Sequence, residues 1–216
     1  METRLKTIWR PVILNHKQLF LVSLLFFILS GCDKEVERLD DYLVEIATVQ
    51  KENATYRFKL DNNRILIPEE IKNYSGNDGQ RVILRYVPLK DNNIRIINIS
   101  NIFTAGIQHE GYPEKYSDDP VKILSVWVGS DYLNLILEIE YHSVPHGVAL
   151  LRNNSSTSVD LYFSHSRNND PRGYPQTMHA SFSLKDLHSL SNTFPVPFRL
   201  FINTHSGMRE FWFELK

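Results

Sequence analysis

Cysteine is nearly absent: Cys32 is the single one in the chain. One thiol cannot form an intrachain disulfide, so packing alone must hold the fold, even in an oxidising compartment. A surplus of positive charge is missing too, with 24 basic against 25 acidic side chains. That argues against nucleic acid and against anionic lipid headgroups as partners. No phosphate-binding glycine loop, dinucleotide fingerprint or internal repeat occurs, so nothing points to nucleotide chemistry or to a solenoid. The apolar run Leu19–Leu29, broken only by Ser23, stops well short of the ~20 residues of a comfortable transmembrane helix.

What surrounds that run is an address. Arg4, Lys6, Arg10 and Lys17 precede it against one acid, Glu2, and the small residues Ser30 and Gly31 follow it. A basic start, a short apolar core and a small-residue exit predict a cleaved secretory signal peptide over residues 1–31. Leu29-Ser30-Gly31-Cys32 resembles the bacterial lipobox, whose cysteine becomes the lipidated first residue of the mature protein. The resemblance implies an acylated Cys32 with the lipid membrane as its partner. Each buried acyl CH₂ contributes ~0.8 kcal/mol, so one chain anchors weakly and several anchor firmly. The competing reading is a signal anchor, or an uncleaved leader with an incidental cysteine.

Loss of residues 1–31 would leave 20 basic and 24 acidic side chains, a formal charge of −4. Residues 32–39, with Asp33-Lys34-Glu35-Val36-Glu37-Arg38, are charged and have little to bury, which predicts a flexible tether. An acidic tether behind a lipobox also resembles the surface-export signal of Bacteroidetes lipoproteins; a plain spacer is the other reading. The expected location is the bacterial cell envelope, lipid-anchored at the outer membrane and, on the export reading, surface-exposed.

From Tyr42 the pattern has period two, with Tyr42, Val44 and Ile46 alternating with Leu43, Glu45 and Ala47 as far as Val49. Thr55–Leu60 carries Tyr56 and Phe58 on one face. Asp61-Asn62-Asn63 supplies turn residues that tolerate positive φ, and Arg64–Ile67 resumes the extended pattern until Pro68 closes it. Gln80–Val87 sets Val82, Leu84 and Tyr86 against Arg81 and Arg85, and Ile94–Phe103 follows the turn Lys90–Asn93. Five strands without a long helix predict a small OB-type barrel over residues 40–106. A nucleic-acid surface would draw on Arg57, Lys59, Arg81 and Arg85 beside Tyr56 and Tyr86. The acidic total and the membrane address favour these cations as the solvated faces of amphipathic strands.

Gly106, Gly111, Pro113 and several charges mark residues 107–118 as a linker, and an antiparallel β-sandwich is expected over residues 119–216. Its strands read as Val121–Val128, Tyr132–Tyr141, Val148–Leu151, Val159–His165, Met178–Leu184, Phe198–Thr204 and Met208–Leu215. Tyr132–Tyr141 alternates most cleanly, with Leu133, Leu135, Leu137 and Ile139 on the buried face. The last two strands pair across His205-Ser206-Gly207 as a terminal hairpin. Ser183 offers an N-cap for a helical turn through Leu187 and Leu190.

Several stretches, in order, are similar to the NigD-like lipoproteins of Bacteroidetes. They are Tyr42–Val49, Phe58–Asn62, Gly79–Val82, Asp119-Pro120-Val121, Trp127–Gly129, Tyr132–Asn134, Leu161–His165 and Ala180–Leu184. The resemblance spans nearly all of residues 40–215 and implies an N-terminal OB domain followed by a C-terminal β-sandwich. It carries over no catalytic residue. The chain departs from the pattern at Asn62-Asn63, where a glycine is commoner, which leaves the turn type open.

The candidate chemistry is thin. His142 and His146 are the one close histidine pair, but a proline separates them and a zinc site needs a third ligand. Ser164-His165-Ser166 with Asp170 has triad residue types without a nucleophile elbow. His165 shares parity with the inward Val159, Leu161 and Phe163, so it reads as a hydrogen-bonded histidine at the core's edge. Glu138 with Glu140, or Asp119 with Asp131, are the carboxylate pairs a glycan-active enzyme would use. Tyr162, Tyr174, Phe201 and Trp212 oppose the core parity or sit in loops, and so mark a candidate binding surface. The favoured reading has them buried between the two domains. No catalytic residue, metal or cofactor is expected. The function expected is non-catalytic binding of a protein or glycan ligand, with interception of a toxic peptide (an immunity role) as the alternative and glycan chemistry disfavoured.

Overall fold

The structure is a computed structural model that describes residues 41–189 and 194–216. The expected signal peptide, the lipobox Leu29–Cys32, the tether and Leu190 lie outside the described residues. Five strands form a closed barrel: β1 (Leu43–Glu52), β2 (Thr55–Leu60), β3 (Ile65–Pro68), β4 (Arg81–Pro88) and β5 (Asn93–Asn101), in the order β1-β2-β3-β5-β4. Ala47, Val49, Phe58, Leu60, Leu66, Val82, Leu84, Tyr86 and Ile94 fill its interior. The β2–β3 turn uses asparagine where glycine is commoner: Asn63 takes φ 66°, and Asn62 Oδ1 accepts from Arg64 N at 3.0 Å. The side chain thus replaces part of what glycine's freedom would give.

Eight strands build the second domain: β6 (Phe103–Gln108), β7 (Lys122–Gly129), β8 (Tyr132–Tyr141), β9 (Gly147–Arg152), β10 (Asp160–Ser166), β11 (Tyr174–Ser183), β12 (Val196–Thr204) and β13 (Gly207–Leu215). Their order is β13-β12-β10-β9-β6-β11-β8-β7. β6 changes partner halfway: residues 103–106 pair with β11, and Ile107 and Gln108 pair with β9. One strand thus joins two sheets at a corner, a device by which a sandwich closes along one side. The apolar rows of both sheets meet between them, among them Leu133, Leu135, Leu137, Leu161, Phe163, Phe182, Phe198 and Leu200.

Three expected boundaries are corrected by β6, which pairs only within the sandwich: the barrel expected to reach residue 106 ends with β5 at Asn101, the linker expected over residues 107–118 loses Ile107 and Gln108, and the sandwich expected from residue 119 starts at Phe103. The rest of the linker is a crossover inside the sandwich. Its far end lies beside β10, where His165 N donates to Ser117 O at 2.9 Å and Asp119 N donates to His165 O at 3.1 Å. Both cores lie within one compact unit, Asp40–Lys216.

The two domains meet through a buried polar joint. Arg81 projects from the outer face of the barrel and is 0% exposed, which corrects its assignment to a solvated face. Its guanidinium makes a bidentate pair with Asp61 at 2.7 and 3.0 Å and donates to Thr48 Oγ1 and Asn134 Oδ1, both at 2.9 Å. Ser181 Oγ also donates to Asn134 Oδ1, at 2.6 Å, and the Tyr132 ring packs under the guanidinium. Asn134 and Ser181 lie on the outward face of β8 and β11, so the wet face of that sheet is dry here. Gly129 lies so close that a Cβ would collide with the Asp61 carboxylate.

Candidate functional site

The outward row of the sheet that ends in β13 is aromatic and cationic. β10 and β12 run parallel with Tyr162 beside Phe201, and β12 and β13 pair Arg199 with Trp212. Leu161, Phe163, Leu200 and Ile202 point into the core, so strand alternation sends Tyr162, Arg199 and Phe201 outward. Tyr162 is stacked between Phe201 at 4.7 Å and Tyr112 at 4.2 Å, and the Tyr116 edge closes on it at 5.8 Å. Burial, helped by the hydrogen bond to Tyr112, pushes the Tyr162 phenol up to about 12. It is therefore a neutral, covered ring at physiological pH.

Arg199 continues the stack, with its guanidinium 5.3 Å from the Phe201 ring and 5.4 Å from the Trp212 ring. It is also fixed in plane by two hydrogen bonds to Asp160, at 2.7 and 2.6 Å. Burial works to raise the Asp160 carboxyl, but hydrogen bonds from Arg199, Ser156 and Ser158 outweigh it and hold the group below its ordinary value. Glu210 adds a carboxylate 3.6 Å from the same guanidinium. The charge of Arg199 is thus balanced, and its role here is to hold the stack.

Trp212 ends this ladder and remains 72% exposed. Beside it a groove of about 360 Å³ runs between Thr157, Ser158, Val159 and Pro197. β13 is the last strand in the sheet order, so among the described residues only β12 pairs with it.

Three of the four expected surface aromatics, Tyr162, Phe201 and Trp212, therefore form one face. Tyr174, 82% exposed, begins β11 opposite Tyr141 in the other sheet and does not join them. The reading that placed all four between the domains is corrected, because the joint is made by Arg81, Asp61, Asn134 and Ser181. Sequence reasoning missed Arg199, Asp160, Tyr112 and Tyr116. The first two carried a signal: Arg199 has the outward parity of Phe201, and Asp160 that of Tyr162.

The histidines form a second cluster, and it fastens loops. His165 is 2% exposed; its Nδ1 donates to Asp119 O at 2.9 Å, and its Nε2 lies 2.9 Å from His146 Nδ1. Burial pulls the His165 imidazole below its ordinary value. His146 Nε2 lies 3.3 Å from Asp170, whose carboxylate also accepts from the backbone N–H groups of His142, Ser143 and Val144 at 2.7 to 3.0 Å. Burial opposes ionisation of Asp170, yet these donors outweigh it and hold the group far below the usual carboxylate range. Ser164 lies on the other side of β10 and exchanges hydrogen bonds with the Ser117 backbone, so Ser164, His165 and Asp170 do not assemble as a triad. His142 bonds its neighbour Ser143 and does not converge with His146.

The carboxylates of the glycan-enzyme reading are each engaged. Glu138 pairs with Lys122 at 3.0 Å, and Glu140 lies 4.0 Å from Arg172. Asp119 accepts from Arg167 N at 2.7 Å, and Asp131 lies 2.9 Å from His188 Nε2. Among the described residues no helix is long and apolar enough to cross a membrane.

The family model described as the NigD-like N-terminal OB domain matches residues 46–102, and that of the NigD-like C-terminal beta sandwich domain matches residues 104–213. None of the curated proteins matches the chain. Among solved structures, a protein from Parabacteroides distasonis described as toxin-related is 26% identical with a TM-score of 0.73, over 82% of this chain and 94% of its own. A NigD-like immunity protein from Bacteroides caccae shares 19% identity and a TM-score of 0.63, over 81% and 97% of the two chains. A Bacteroides fragilis protein described as a lipoprotein shares 12% identity and a TM-score of 0.60, over 82% and 98%. The boundary between the two family models, at residues 102–104, falls where β5 ends and β6 begins, and the chain belongs to the NigD-like family.

Proposed function

We propose that this chain is an envelope-anchored lipoprotein that acts as a non-catalytic binding module. Acylated Cys32 holds it at the outer membrane, and the Trp212 face receives a protein partner. Trp212 carries the reading. The ladder accounts for Tyr162, Phe201 and Arg199, whose faces are covered by one another. It does not account for an indole left 72% exposed beside a groove. Tryptophan and arginine are the residues enriched at interface hot spots. The edge of β13 favours a polypeptide over a glycan, because an unpaired edge offers backbone donors and acceptors to another strand.

The test uses residues 33–216 as bait against envelope extract and culture fluid, in native and Trp212→Ala forms, with a glycan array alongside. The expected result is a retained protein whose binding weakens about tenfold or more in Trp212→Ala at unchanged melting temperature. Retention of a sugar alone moves the reading to glycans. Equal retention by both forms removes this face from the function. The anchor has its own measurement: Cys32→Ala is expected to release the protein from the membrane fraction or leave its leader uncleaved. Unchanged mass and unchanged membrane retention refute lipidation.

A second reading draws on the neighbour from Bacteroides caccae, described as a NigD-like immunity protein. On that reading the partner is a toxic peptide intercepted before it inserts. A deletion strain would then become sensitive to the peptide, and the Trp212→Ala protein would fail to protect it.

A further inference from the structure

Beyond the Arg81 joint, the outer faces of the barrel and of the β8–β11 sheet part company. On the barrel side the outward row of β1 runs from Thr48, at the joint, through Ile46 to Val44, which is 52% exposed. On the sandwich side the outward row of β8 runs from the buried Asn134 to Ile136, which pairs with His179 on β11. The gap between them is a cleft of about 460 Å³, walled by Val44, Ile46, Ile83, Trp127, Ile136 and His179. That volume lies in the ~300–1,000 Å³ range of small-molecule sites, which favour domain interfaces and combine apolar walls with few polar groups.

The polar groups are what make this cleft more than a packing gap. Two carboxylate residues, Asp61 and Glu45, border it, and each already faces a guanidinium: Asp61 that of Arg81, and Glu45 that of Arg64 at 3.9 Å, with the Tyr86 hydroxyl also donating to Glu45. His179 is different. It is half-buried, and among the described residues it has no hydrogen-bond partner. Burial pulls its imidazole below the ordinary value, so the ring is uncharged at neutral pH. A neutral imidazole has one donor and one acceptor to satisfy. A charged ligand would lose its hydration against these walls and find no free countercharge.

The geometry points to a binding site for a small, uncharged amphipathic molecule, with an aliphatic or aromatic body in the cleft and one hydroxyl, carbonyl or amine N–H against His179. This site is separate from the Trp212 face and takes a different class of ligand.

The test is a fluorescence titration of residues 33–216 with N-phenyl-1-naphthylamine, an uncharged aromatic amine that brightens in apolar surroundings. Saturable binding of one equivalent is expected. Ile136→Trp and Ile46→Trp fill the cleft from opposite walls, and each should weaken binding about tenfold or more. His179→Phe keeps the wall apolar and removes the polar group, with an expected loss of about two- to tenfold. Near-ultraviolet circular dichroism checks each fold, and if one filled variant does not fold, the other decides. Absence of saturable binding, or an unchanged titration in a folded filled variant, overturns the site. Trp212→Ala should leave this titration unchanged, so failure here does not bear on the Trp212 face.

Discussion

Arg81→Ala should lower the unfolding free energy by about 3–5 kcal/mol, the usual cost of removing one partner from a buried ion pair. The side chain is 0% exposed and its removal strips hydrogen bonds from Asp61, Thr48 and Asn134 at once. Asp61 is partly exposed, at 22%, so water can hydrate part of what Arg81 leaves behind. Asp61→Asn should therefore cost less, about 1–3 kcal/mol. Arg81→Met with Asp61→Leu replaces the pair by apolar volume and should recover part of the loss. The joint also couples the domains. Native unfolding in urea, followed by tryptophan fluorescence and by far-ultraviolet circular dichroism, should give one coincident transition. In Arg81→Ala the two probes should separate, because Trp127 and Trp212 report on the sandwich while circular dichroism reports on both domains. A loss below about 1 kcal/mol with coincident transitions would mean that apolar contacts, not this joint, couple the domains.

The barrel strands were legible in the sequence because period-two alternation is local, and β2 to β4 end within a residue or so of the stretches read from it. β6 was not. Phe103–Gln108 contains Gly106 and pairs in parallel with strands far along the chain, so no hairpin turn announces it. Arg81 shows a second limit. Its outward parity was visible, but what covers an outward face depends on the other domain. The terminal hairpin shows a third. Thr204 pairs with Gly207, so the turn is the two residues His205 and Ser206. A three-residue turn would shift the register by one and set Phe213, not Trp212, opposite Arg199. The ladder was therefore one residue away from being predictable. His165 was readable as a core-edge histidine from parity alone, whereas its contact with His146 needed the fold of two loops.

Stability should fall in two stages as the pH drops, the first set by the buried His165 and the half-buried His179 and the second by Asp170. His165 is uncharged in the native protein because burial, first of all, lowers its pKa. In the unfolded chain it titrates near ~6.5. The unfolded state therefore takes up a proton that the native state refuses. Its contribution is fully present above ~6.5 and is lost as the pH falls from there towards the lower native value, at about 1.4 kcal/mol per pH unit for one proton. His179, lowered by burial too, acts in the same direction. Asp170 acts later. Its native value is depressed, so its contribution is present above the unfolded ~3.9 and disappears as acid protonates the carboxylate. Protonation removes the acceptor that ties the backbone of residues 142–144 to the turn at Asp170. Urea midpoints measured from pH 7.5 to pH 3 should show the first decline flattened in His165→Gln with His179→Gln. Asp170→Asn should be weaker at neutral pH and lack the second decline. A first stage that survives the double histidine variant would place the titrating group elsewhere, and the loop clamp would then carry only the acid limb below ~4.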